Sequence, residues 1–162
     1  MKTARLCLLV SLSLPLGACL FGGGGPEVPV DTVRPAPASA VIFQTDRLVV
    51  GDSTRMVVRD AESWNELWSL ATSREPSAQL DRAMDFSNEM VLVAAAGRMD
   101  TGAQIRFDSV GVRGDRFIAN VVTTVDCGGF RSDVYPIMMV RVTRSELPVR
   151  WLERREQTAR CN

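Results

Sequence analysis

Glu89-Met90-Val91-Leu92-Val93-Ala94-Ala95-Ala96 is an almost uninterrupted apolar run of strand length. A strand with one wet face alternates polar and apolar residues, whereas a run with no polar partner face must bury both sides. The stretch therefore predicts a central strand covered on its two faces, and the rest of the chain must supply the two covers.

Upstream, Trp64, Leu67, Trp68 and Ala71 recur at i, i+3, i+4 and i+7, the one-sided pattern of an amphipathic helix, with Asp60 placed to cap it. The helix is expected over about 61–72. Its two tryptophans serve either as a ligand platform or as a core seam, and the spacing favours the seam. Val41–Phe43, Leu48–Val50 and Arg55–Arg59 read as short opening strands, with Gly51-Asp52-Ser53 as a turn between the last two. Residues 72–84 are polar, contain Pro76 and read as a loop.

Downstream, Gly97–Gly102 reads as a turn, after which Ile105 and Phe107 share one face and Val110 and Val112 continue it after a slip of one residue. A bulge near Asp108-Ser109 absorbs that slip. Arg113-Gly114-Asp115 is a tight hairpin signal, and Phe117, Ala119, Val121 and Thr123 alternate beyond it. Val134–Val142 reads as one more strand, with Pro136 at its start or on an exposed edge, and Val149–Leu152 as a last short one before a charged tail. The sum is an α+β, mainly β domain: an antiparallel sheet or small sandwich with one helix packed on it.

Ahead of this domain the chain opens with Lys2 and Arg5, an apolar run Leu6–Leu14, and Leu16-Gly17-Ala18-Cys19. That order is a signal peptide's. The apolar run is about half the length that a bilayer-spanning helix needs. Small residues at 17 and 18 before Cys19 resemble the bacterial lipobox, which implies lipidation of Cys19 and removal of residues 1–18; the alternative is an ordinary signal peptide with a chance cysteine near its cleavage site. Two or three acyl chains hold firmly where one binds reversibly. Leu20 stands where an aspartate would signal inner-membrane retention, so the expected place is the outer membrane of the envelope. Residues 20–40, with Gly22–Gly25 and Pro26, Pro29, Pro35 and Pro37, read as a tether with a reach of roughly 25 Å, and residues 41–162 as one globular domain.

Composition then excludes several functions. Loss of Lys2 and Arg5 leaves 17 arginines against 19 acids, a mature charge of about −2, with no basic patch for nucleic acid. The chain has no histidine, which removes the commonest general base and metal ligand, and no cofactor or metal site is expected. Cys127 and Cys161 are left as a pair in an exported chain, where a disulfide is the default; a redox pair lacks the CxxC spacing, and two thiols alone do not fill a zinc shell. Asp85, Glu89, Asp100, Asp108, Asp126 and Asp133 are the acids available for carboxylate chemistry, and their spacing selects no pair, so no catalytic residue is expected.

Four landmarks stand in order: Ser63-Trp64-Asn65-Glu66-Leu67-Trp68, Asp85-Phe86-Ser87-Asn88-Glu89-Met90-Val91-Leu92, Gly97-Arg98-Met99-Asp100-Thr101-Gly102 and Tyr135-Pro136-Ile137-Met138-Met139-Val140. Together, over about residues 58 to 152, they resemble the C-terminal domain of the PrcB family, named for a subunit of a surface protease complex. The family's turn runs Gly-x-x-Pro-Thr-Gly-Gly-Tyr; Thr101 and Gly102 match it, while Asp100, Ala103 and Gln104 depart. The resemblance implies a membrane-anchored accessory module with a protein partner, in which Asp100, Thr101, Gly102 and Ala103 form the contact turn with an altered partner surface. A similar threonine-glycine turn occurs in chagasin-like protease inhibitors, where it sits at one end of a β-sandwich. A hairpin that merely needs positive φ explains the same two residues, and a structural envelope lipoprotein with no defined ligand remains a third reading.

Overall fold

The computed structural model describes residues 31–36, 40–48, 51–74, 83–126 and 132–158. Cys19, Cys127 and Cys161, and the leader, lie outside the described residues.

The elements run β1 Arg34–Pro35, β2 Val41–Thr45, β3 Thr54–Val58, α1 Ala61–Arg74, β4 Glu89–Ala95, β5 Met99–Asp100, β6 Gln104–Arg113, β7 Arg116–Val125, β8 Asp133–Val134, β9 Ile137–Thr143 and β10 Val149–Gln157. Two four-stranded sheets result, ordered β2-β9-β4-β3 and β1-β6-β7-β10, with β5-β8 as a separate two-stranded ribbon. The fold is α+β and mainly β.

The β4 run sits inside its sheet and is covered twice. Val91, Val93 and Ala95 turn to one core with Trp64, Leu67 and Ala71 of α1. Met90, Leu92 and Ala94 turn to the other, with Ile105, Phe107, Phe117, Ala119 and Val121 of the opposite sheet. The architecture is thus three layers, helix on sheet on sheet, and each layer buries the apolar face of the next. The tryptophans form the seam: Trp64 is buried, and its ring meets Trp68 edge-on with centroids 5.7 Å apart. Asp60 caps α1 by accepting the Ser63 amide at 2.8 Å.

Local signals in the second sheet hold as well. The β6–β7 register shifts between Phe107 and Ser109, the bulge that the alternation requires. Arg113 pairs with Arg116 across a two-residue turn in which Gly114 takes φ +60°. On the sheet's outer face Val122 is buried, and Arg106 and Arg154 flank it in register. Asp108 and Glu156 close the two guanidiniums into a ring with contacts of 2.6 to 3.8 Å.

Five expectations are corrected. Leu48 lies at a bend, buried but outside any strand, and residues 49–50 lie outside the described residues. The strand expected over 134–142 is two: Tyr135 and Pro136 break it, the Tyr135 amide bonds Asp46, and Pro136 precedes an interior strand, not an edge. The last strand runs on through the charged tail to Gln157 and pairs with β7 in parallel, since the chain crosses to the other sheet as β9 before returning. The helix extends two residues past the expected end, to Arg74. Finally, residues 31–36 of the expected tether belong to the fold: β1 pairs with Ser109 and Val110, and the Thr32 amide bonds the Val112 carbonyl at 2.8 Å.

Candidate functional site

The threonine-glycine turn lies at one end of the sandwich, where β3 and β6 begin and β4, β7 and β10 end. Asp100 to Ala103 is a four-residue turn closed by the Ala103 amide on the Asp100 carbonyl at 3.1 Å. Gly102 holds φ +89° at its third position, as a type II turn demands. A Cβ there would stand 2.8 Å from Cβ of Asp126, so glycine is needed for space as well as for conformation.

Side chains and a ladder hold this turn to the 132–135 segment. Met99 and Asp100 pair with Val134 and Asp133. Thr101 Oγ1 accepts the Ser132 amide at 3.0 Å and lies 2.9 Å from the Ser132 carbonyl, which it can bond as donor. Arg98 bonds Asp133 at 2.8 Å, and that carboxylate holds the guanidinium above its ordinary pKa. Of the four residues expected to meet a partner, Asp100, Thr101 and Gly102 are exposed; Ala103 is buried and turns inward, so it supports the turn without presenting a surface.

A cleft lies on each side. One, of about 260 Å³, is lined by Gln44, Thr45, Asp46, Gly102–Ile105, Pro136 and Ile137. The other, of about 290 Å³, is lined by Ser53, Arg55, Ala96, Met99, Thr123 and Glu153–Arg155. In the second, Arg55 crosses from β3 to β10: Nη2 donates to Glu153 at 3.2 Å, Nε stands 3.1 Å from its other oxygen, and Nη1 donates to the Ala95 carbonyl at 2.6 Å. The sequence carried a signal for this. Val57 faces the inter-sheet core and Val58 the helix, so Arg55 shares the parity of Val57 and points inward, as Glu153 does with Trp151 on β10.

The six candidate acids are scattered. Asp85 holds its own turn through Asn88 Nδ2 and the Ser87 amide, which keep its carboxyl below the ordinary value. Glu89 pairs with Arg141, and Asp108 belongs to the outer-face ring, where Arg106 lowers its pKa. Asp126 accepts the Thr158 hydroxyl at 2.9 Å. Asp100 and Asp133 stand opposite each other in the β5–β8 ladder, but Arg98 occupies Asp133 and neither residue lines the two clefts. Among the described residues no group of three or more His, Cys, Asp or Glu is placed to hold a metal, and no helix is long and apolar enough to cross a membrane. No family model, curated protein or solved structure matches the chain.

Proposed function

We propose that the chain is a lipid-anchored envelope protein whose domain is a non-catalytic binding module, presenting the 98–104 turn and its two clefts to a protein partner as an accessory subunit of a protease complex. The single observation that carries this reading is the construction of the turn. Glycine conformation, a short ladder and the Thr101–Ser132 bonds fix its backbone, while Asp100 and Thr101 stay exposed between two clefts. A loop fixed before binding loses little entropy on complex formation, which favours affinity.

The test is affinity capture from a detergent extract of the source envelope with the tagged mature protein, beside an Asp100→Arg/Thr101→Arg variant. A partner retained by the first and lost by the second supports the reading. No specific partner with the native protein, or equal capture by both, ends it. The placement of the threonine-glycine turn at one end of a two-sheet sandwich also favours an inhibitor reading, in which the same turn enters a cysteine protease's cleft. Inhibition of a papain-type protease by the native protein and not by the turn variant distinguishes that case.

A further inference from the structure

We infer that the domain stands end-on at the membrane, with the Arg113–Arg116 hairpin toward the lipid and the 98–104 turn held at the far end, open to a partner arriving from the aqueous side. This rests on the anchoring at Cys19. It follows from the direction of β1, which the sequence alone assigned to the tether.

Asp31 is the first described residue after Cys19, and the twelve steps of polypeptide between them span at most about 43 Å. Asp31 is docked at the hairpin end, its carboxylate 2.9 Å from Arg113 Nε. From there the chain runs antiparallel to β6, with the Thr32 amide on Val112 and the Ala36 amide on Asp108. The backbone of Thr32 and Val33 presses so closely on Gly111 that a Cβ there would lie 2.5 to 2.7 Å from it. The described chain therefore enters the domain at the hairpin. The ten residues of β6 place the turn on the order of 30 Å further along. At the near end Arg113 is paired with Asp31, Arg116 with Asp115 and Arg144 with Glu146, while Arg150, exposed at the start of β10, has no ion pair among the described residues. A partner embedded in the same leaflet would meet the hairpin end, whereas a protein in the aqueous space meets the turn and clefts.

The test uses the full-length lipidated protein in phosphatidylethanolamine/phosphatidylglycerol vesicles carrying an acceptor-labelled lipid, with a fluorescent non-natural residue at position 115 or 100. Energy transfer to the lipid should be markedly stronger from 115 than from 100. Gly111→Val, which displaces residues 31–33, should bring the two efficiencies together while the circular dichroism spectrum and vesicle co-flotation persist. Asp31→Asn/Thr32→Val, which removes the ion pair with Arg113 and the Thr32 hydroxyl's bond from the Val112 amide without new bulk, should narrow the difference in the same direction. Co-flotation with equal transfer from both positions in the native protein, or stronger transfer from 100, overturns the orientation alone. A protein that does not float with the vesicles overturns the anchoring and the orientation together.

Discussion

Arg55 on β3 and Glu153 on β10 join the two sheets at the open edge of the sandwich, guanidinium to carboxylate, at 3.1 and 3.2 Å. The arginine side chain is 12% exposed and the glutamate 56% exposed. The cost of breaking the pair therefore depends on which side is removed. Glu153→Ala strands a largely buried charge, but at an edge that water reaches, so the expected loss is about 1–2 kcal/mol, below that of a fully enclosed pair. Arg55→Met removes the charge and keeps the stem, and should cost less than Glu153→Ala. Urea denaturation of both single variants and the double variant measures the coupling; a coupling near zero would mean that the two groups act independently.

Gly102 is set by two independent demands, its φ of +89° and its closeness to Asp126. Gly102→Val should cost about 1–3 kcal/mol and spread the turn. Gly51, beside which a Cβ meets nothing within 4 Å, is the control, and Gly51→Ala should be nearly neutral. Equal stability of the two variants in thermal melts would show that the turn yields easily, and with it would go the case for a rigid contact loop.

Acid should weaken the fold in a narrow window. Asp60 is held below its ordinary value of 3.8 first by the Ser63 amide, Asp85 by Asn88, Asp31 by the Val33 amide and Asp108 by Arg106. A carboxyl with a depressed folded pKa contributes stability that is complete above the unfolded value and lost as pH falls through the folded one. With no histidine in the chain, little else titrates between about pH 5 and 8. The melting temperature should stay flat across that range and fall below about pH 4, and Asp60→Asn, which keeps a capping oxygen, should show a shallower acid limb. A midpoint of decline above pH 5 contradicts this.

The layers were legible where a periodicity had one physical cause. The β4 run required two covers, the 64-67-68-71 stripe supplied one and the alternation of 105–123 the other. Parity also located the bulge at Asp108. Long-range choices were not legible in this way. Nothing local distinguishes a parallel from an antiparallel β10, because the pairing is decided by where β9 leaves the chain. Residues 31–36 carry no hydrophobic period, since they dock through backbone bonds and one ion pair. Arginine roles were equally hidden: Arg59 and Arg144 hold the opposite end by donating to carbonyls of Ser145, Leu147 and Phe86, partners that only the fold brings near.

The last prediction concerns Cys127 and Cys161, whose described neighbours are already together. The Thr158 amide bonds the Val125 carbonyl at 3.0 Å, and its hydroxyl bonds Asp126, so the strand end three residues before Cys161 lies beside the residue preceding Cys127. The three intervening steps span at most about 11 Å, within which a disulfide needs its two Cα atoms some 4.4–6.8 Å apart. Non-reduced peptide mapping of the protein produced in an oxidising compartment should find the two linked, and loss of the bond, which would close a loop of about 34 residues, should cost about 3–4 kcal/mol. Because Asp126 also forms the wall against which Gly102 is fitted, reduction should loosen the turn as well as the tail. Hydrogen exchange would then rise at Thr101–Ala103 in the reduced protein; free thiols in protein from an oxidising compartment, or unchanged exchange at the turn, would separate the disulfide from the site.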